Sequence, residues 1–125
     1  MTDLPKILLV DDEPSLVKLV KRRLEAEGFN VCVAVDGEEA LVKVREEEPH
    51  LIILDVMLPR LNGYEVCRKL KNDSRYSEIP IILFTALVQE KDEKIGLECG
   101  ADGYIRKPFR APELMEKIRT LLTAK

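Results

Sequence analysis

Polar and charged side chains stand at the ends of apolar runs throughout this 125-residue chain. The residues in question are Asp11, Asp12, Asp55, Thr85 and Lys107. If the apolar runs are parallel strands of one sheet, their carboxyl ends share one edge, and these side chains converge there. Three carboxylates, a hydroxyl and an ammonium in one place can hold a divalent metal ion and a phosphoryl group.

The chemistry of such a cluster follows from its charge. Carboxylates within a few ångströms of one another raise the free energy of ionising each neighbour, and a divalent cation removes that conflict. A site that offers oxygen ligands and leaves some coordination positions to water suits Mg²⁺. A carboxylate can also accept a phosphoryl group as a nucleophile, and a cation such as Lys107 can stabilise the transferring oxygens. An aspartate at a strand end is by itself more often a helix cap, so the prediction depends on the combination.

Five strands can be placed from the apolar runs and their neighbours. They are expected at 7–10, 29–35, 51–54, 79–84 and 104–105. The runs in the first, third and fourth strands do not alternate with polar residues, which is typical of strands buried on both faces of a parallel sheet.

Helical patterns alternate with these strands. The helices are expected to begin near Pro14, Asp36, Asn62, Gln89 and Pro112, and the fourth to end at Cys99. Asp36 and Asn62 can cap their helices, and Glu39 stands where a capping-box partner belongs. The inward-facing residues are expected to be Leu16, Leu19, Val20, Leu24, Ala40, Leu41, Val44, Val66, Cys67, Leu70, Ile95, Leu97, Leu114, Ile118, Leu121 and Leu122. Five βα units predict a doubly wound α/β fold, a parallel sheet with helices on both faces.

Composition narrows the possible classes of function. The length is typical of one domain, here residues 1–125, and 46% hydrophobic with 34% charged residues is ordinary for a globular chain. A formal net charge of −3 gives no basic field for direct nucleic-acid binding. No apolar run approaches the length of a membrane span. The three cysteines form no CxxC pair, which predicts reduced, packed thiols in a cytoplasmic protein.

Four motifs resemble the receiver domain of bacterial two-component response regulators. They are LLVDDE (8–13), LDVMLPRLNGYE (54–65), FTA (84–86) and GADGYIRKPF (100–109). The resemblance covers nearly the whole chain, with the motifs in the expected order. It implies a flavodoxin-like fold, a five-stranded parallel sheet of order 2-1-3-4-5 with five helices.

The resemblance also implies a role for each matching residue. Asp55 matches the phosphoacceptor, and the metal ligands are Asp11, Asp12, Asp55 and the backbone carbonyl of Met57. Thr85 matches the switch hydroxyl, Tyr104 the aromatic switch residue, and Lys107 the lysine that contacts the phosphoryl group. The implied cofactor is Mg²⁺, or Mn²⁺ in its place.

The function implied by the resemblance is a phosphorylation-controlled switch. A sensor histidine kinase, a phosphotransfer protein or a small phosphodonor would phosphorylate Asp55. The surface of the fourth helix, fifth strand and fifth helix would then change toward an unknown output partner or output domain. Members of the family frequently have an aspartate at the position of Asn62. Little effect is expected, because both residues cap helices. Gly103 stands where DNA-binding members often have an acid used in dimer contacts, so the oligomeric state stays open.

Three other interpretations are compatible with parts of the sequence. A metal-dependent phosphatase with an aspartyl-phosphate intermediate would need an acid two residues after Asp55, where this chain has Met57. A flavin carrier would need phosphate donors after the first strand, where Asp11, Asp12 and Glu13 would repel a phosphate. The chain could also be one part of a longer regulator.

Two further expectations concern residues outside the motifs. His50 is expected on the surface. Leu87 and Val88 are expected to make loop contacts or to form part of a partner surface.

Overall fold

The computed structural model describes residues 4–86, 94–95 and 98–123. Five strands are present: β1 (Lys6–Val10), β2 (Asn30–Ala34), β3 (Leu51–Asp55), β4 (Ile81–Thr85) and β5 (Gly103–Arg106). Four helices lie within the described residues: α1 (Pro14–Ala26), α2 (Gly37–Glu47), α3 (Gly63–Lys71) and α4 (Ala111–Thr123). The label α4 therefore denotes the fifth helix expected from the sequence. Most of the expected fourth helix, including Gln89 and Leu97, lies outside the described residues.

The strands form one parallel sheet in the order β2-β1-β3-β4-β5, which confirms the expected fold class. The chain starts at β1, moves outward to β2, and returns past β1 to β3. The winding direction therefore reverses between β1 and β3, where open α/β sheets bind ligands beyond the carboxyl ends of their strands.

Two apolar clusters cover the two faces of the sheet. One packs α2 and α3 against the sheet, and its fully buried residues include Leu54, Val66 and Cys67. The other packs α1 and α4 on the opposite face, around Leu24 and Phe84 among others. The central strand β3 is buried over its whole length, as its unbroken apolar run predicted.

Helix capping follows the sequence pattern with one difference. The Asp36 side chain accepts a hydrogen bond from the Glu39 N–H at 2.8 Å, and Asn62 accepts one from the Glu65 N–H at 3.1 Å. The Glu39 carboxylate, however, accepts from the N–H of Val35 at 2.7 Å, one residue before the cap. The acid therefore satisfies the first backbone donor after β2.

Several packing expectations were wrong or only partly right. Leu19 is 63% exposed, because it lies about 100° around the helix from the buried Val20. Ile95 is also exposed, at 37%. Leu41, Leu121 and Leu122 are only half-buried against the two clusters.

Candidate functional site

Two adjacent strands bring the three carboxylates together. Val10 and Leu54 are register partners in β1 and β3, so Asp11 follows β1 directly beside Asp55, the last residue of β3. One ligand atom from each of Asp11, Asp12 and Asp55 lies within 4.8 Å of the others. Asp11 and Asp55 are buried, whereas Asp12 is exposed. The cluster therefore opens to solvent on the side of Asp12.

Each buried carboxylate divides its oxygens between the backbone and one ammonium. Asp11 Oδ1 accepts from the N–H of Glu13 at 3.0 Å, and Asp55 Oδ1 accepts from the N–H of Met57 at 3.2 Å. Lys107 Nζ lies 2.9 Å from Asp11 Oδ2 and 3.5 Å from Asp55 Oδ2. These local turns hold both carboxyl groups toward the same lysine.

Backbone and aromatic contacts hold Lys107 in this position. It follows β5, and its N–H donates to the carbonyl oxygen of Thr85 at 2.7 Å. Its ammonium lies 4.9 Å from the ring centroid of Phe84, a favourable cation–π contact, and Phe84 packs edge to face with Phe109. The Lys107–Pro108 peptide bond is cis. Phe84 and Phe109 thus support the lysine, although their apolar side chains gave no sign of this in the sequence.

Burial and charge perturb the protonation of the site. Burial, followed by the negative charge of Asp11, raises the pKa of Asp55 to about 6, although Lys107 and the Met57 N–H oppose the shift. Burial lowers the pKa of Lys107, but its hydrogen bond to Asp11 and the charges of Asp55 and Asp11 outweigh this and give a net rise. One ammonium thus contacts two of the three clustered carboxyl groups, which leaves an excess of negative charge that a divalent cation would neutralise. The hard oxygen donors fit Mg²⁺.

The other predicted site residues lie around this cluster. Thr85 ends β4 and is fully buried, and its neighbour Phe84 is the register partner of Asp55. Tyr104 is half-buried in β5, opposite Leu83 and against the α2–α3 cluster. The side chain of Met57 is 63% exposed beside the site.

A glycine allows α3 to begin beside the site. A Cβ atom on Gly63 would lie 2.3 Å from the carbonyl oxygen of Asp55, a distance at which something must shift. The N–H of Gly63 donates to the carbonyl of Val56 at 3.0 Å. The glycine directly after the capping Asn62 was the available signal in the sequence.

The remaining residues singled out from the sequence lie elsewhere. His50 is exposed at the opposite end of the sheet, where its Nδ1 accepts from the N–H of Lys6 at 2.9 Å. Gly103 is buried in β5, and a Cβ atom on it would lie 3.3 Å from the side chain of Lys117. Leu87 and Val88 lie outside the described residues. Within the described ranges, no helix combines the length and the apolar character needed to cross a bilayer.

Comparisons with known proteins agree with this geometry. The sequence-family model of the response regulator receiver domain matches residues 7–119 of this chain. The alkaline phosphatase synthesis transcriptional regulatory protein PhoP of Bacillus subtilis is 48% identical over 94% of this chain and 48% of its own length. The chain thus spans about half the length of the curated relatives it matches.

Solved structures give the same result. A response regulator from Chloroflexus aurantiacus superposes with a TM-score of 0.92 at 31% identity, covering 96% of this chain and 98% of that one. The receiver domain of sensor histidine kinase PA1611 from Pseudomonas aeruginosa has magnesium in its active-site cleft and superposes with a TM-score of 0.90 at 28% identity, covering 98% and 100%. From its sheet order, its strand-end cluster and these matches, this chain belongs to the response regulator receiver domain family.

Proposed function

We propose that this chain is a phosphorylation-controlled switch that accepts a phosphoryl group on Asp55. The observation that carries the proposal is the convergence of the three carboxylates with Lys107 at the carboxyl edge of the sheet. We further propose that residues 1–125 form one receiver domain, consistent with the single sheet and the family match over 7–119.

Asp11, Asp12 and Asp55 would hold Mg²⁺, with the backbone carbonyl of Met57 as a further oxygen ligand. When bound, the ion would supply positive charge for the phosphoryl oxygens. The magnesium reported for the PA1611 receiver domain supports this assignment, as does the excess of carboxylates over ammonium groups in the cluster.

The chain's own residues account for the transfer. An Asp55 oxygen attacks phosphorus, and the bond from phosphorus to the donor's nitrogen or oxygen breaks with its electron pair leaving on the donor. The Met57 N–H keeps the Asp55 carboxylate oriented, and the Lys107 ammonium neutralises a phosphoryl oxygen. Thr85, one strand away, would donate its hydroxyl to the product.

The phosphorylated form would signal through a population shift. The phosphoryl group favours a state with Thr85 drawn toward it and Tyr104 turned inward, and its effect is limited by its differential affinity for the two states. The surface that changes would include β5, α4 and the expected fourth helix. The donor would be a sensor histidine kinase, a phosphotransfer protein or a small phosphodonor.

We infer that the chain is not a turnover hydrolase. Met57, two residues after Asp55, has no proton to give to a leaving group.

The output is a partner protein or a further domain, since the matched relatives are about twice as long and one is named as a transcriptional regulatory protein. The net charge of −3 argues against nucleic-acid binding by this segment itself. A cytoplasmic location is part of the proposal, because the three cysteines are free thiols.

The test is incubation with acetyl phosphate and Mg²⁺, followed by intact-protein mass spectrometry. We expect one added phosphoryl group, no addition in Asp55→Ala, and suppression by EDTA. Asp73→Ala is the matched control, because Asp73 is a carboxylate paired with Arg75 outside the site. Phosphorylation that persists in Asp55→Ala would remove the assignment.

In a second measurement, Lys107→Ala should impair the phosphorylation-driven conformational change. An unchanged response would show that Lys107 is not the cation that contacts the phosphoryl group.

A further inference from the structure

Two cysteines that are 32 positions apart in the chain meet in the core beneath α3. Cys67 lies in α3, and Cys99 precedes β5. The Cys67 thiol donates toward the carbonyl oxygen of Cys99, with the sulfur 3.5 Å from that oxygen, so the two residues lie side by side. Both are reduced. The sequence predicted reduced, packed thiols but did not indicate that two of them meet.

We propose that Cys67 and Cys99 are a modification site that a peroxide converts into a reversible disulfide. The bond would join α3, which begins beside Asp55, to the chain that enters β5. The inference does not depend on phosphorylation of Asp55.

The surroundings already hold the two partners together. The last turn of α3 is bound to the segment after Cys99 by a salt bridge between Lys71 and Asp102 at 2.7 Å. A Cβ atom on Gly100 would lie 3.0 Å from the Lys71 side chain, so the two segments are in close contact. These contacts hold the backbone on both sides of the pair, so the two short side chains would form the disulfide by rotating toward an S–S distance of about 2.05 Å.

The two thiols differ in reactivity. The hydrogen bond between them lowers the pKa of Cys99, which accepts it, and raises the pKa of Cys67, which donates it. Cys99 is 4% exposed and Cys67 is fully buried. The thiolate is the nucleophile in such reactions. Cys99 is therefore the sulfur that a small oxidant meets first, and Cys67 is the resolving thiol.

The reaction balances with hydrogen peroxide as the oxidant. The Cys99 thiolate attacks one peroxide oxygen, the O–O bond breaks, and the departing hydroxide takes a proton to become water. The Cys67 sulfur then attacks the sulfenic sulfur of Cys99 and expels a second hydroxide, which leaves as water with the thiol proton. Two thiols are oxidised to one disulfide while one peroxide is reduced to two waters.

Cys32 provides a built-in control. It lies in β2 at the edge of the sheet and is half-buried, so it is more accessible than the other two thiols. Its sulfur approaches the carbonyl oxygen of Ile7 at 3.8 Å. Oxidation governed by exposure would consume Cys32 first, whereas oxidation governed by proximity would consume Cys67 and Cys99 together.

The experiment treats the reduced, folded protein with hydrogen peroxide, denatures it, and alkylates the remaining thiols with N-ethylmaleimide. We expect the number of alkylated thiols to fall from the chain's three to one, with a peptide pair linked through Cys67 and Cys99 and full recovery after dithiothreitol. Cys32→Ser should leave this loss intact, whereas Cys67→Ser and Cys99→Ser should abolish it. Mapping of the wild-type peptides does not depend on the variants folding.

Two results would overturn the proposal. One is consumption of Cys32 while Cys67 and Cys99 both remain fully alkylated after exhaustive oxidation. The other is a linkage only between separate chains. As a further readout, the oxidised Cys32→Ser protein should unfold at a higher urea concentration than its reduced form, because a cross-link restricts the unfolded chain. Unfolding at an equal or lower concentration would contradict a disulfide that fits the native structure.

Discussion

Replacing Asp55 with asparagine should stabilise the metal-free protein at neutral pH. Asparagine keeps an oxygen for the Met57 N–H but removes one negative charge from a buried cluster that already contains Asp11. Lys107 keeps its closer partner, Asp11, at 2.9 Å. The substitution therefore removes repulsion and desolvation of a charge while leaving the main local contacts in place.

The magnitude follows from the pKa of Asp55. Its rise from 3.8 to about 6, at about 1.4 kcal/mol per unit, sets an upper limit of about 3 kcal/mol. Because the cluster opens to water beside the exposed Asp12, we reduce this by half, to about 1.5 kcal/mol. For a domain of this size the gain corresponds to about 5 °C in Tm.

The sign of the pH dependence is fixed by the direction of the shift. A carboxyl group with a raised pKa in the folded state binds its proton more tightly there, so wild-type stability falls as pH rises from 3.8 through about 6. The advantage of Asp55→Asn should therefore be complete above that window and nearly absent below it.

Urea unfolding in EDTA measures the full advantage at pH 7.5, above the window, and the small residual advantage at pH 4, close to its lower edge. Asp73→Asn is the control: the hydrogen bond from Arg75 lowers the pKa of Asp73, so its loss should give no gain at neutral pH. A variant at position 55 that is no more stable than wild type at pH 7.5, or whose gain is equal at both pH values, would refute the electrostatic reasoning.

Three further substitutions test the supporting structure by chemical denaturation. Gly63→Ala should destabilise the protein by about 1–3 kcal/mol, because a methyl group would meet the Asp55 carbonyl at 2.3 Å; wild-type stability would disprove that contact. Asp36→Ala should cost about 1 kcal/mol through loss of the cap on α2, and no loss would show that the cap contributes nothing. Leu24→Ala should cost about 2–5 kcal/mol and Leu19→Ala much less, since only Leu24 is buried; equal losses would contradict the assigned face of α1.

Much of the fold was predictable from local patterns. Unbroken apolar runs indicated strands buried on both faces, and Asp36 and Asn62 capped their helices as expected. Strand ends shifted by a residue or two, so that Asp55 and Thr85 belong to their strands. Periodicity alone also misplaced Leu19, because several apolar residues on α1 were compatible with more than one buried face.

Sequence by itself determined which chemical groups stand at the strand ends, since side-chain type, strand patterning and capping are local properties of the chain. Tertiary structure decided which of those groups touch. The register of β1 and β3 brought Asp11 beside Asp55, and burial between the strand ends raised the pKa of Asp55. The contact of Cys67 with Cys99 is likewise a product of packing. Distances between residues far apart in the chain depend on how whole elements pack, and no local pattern encodes them.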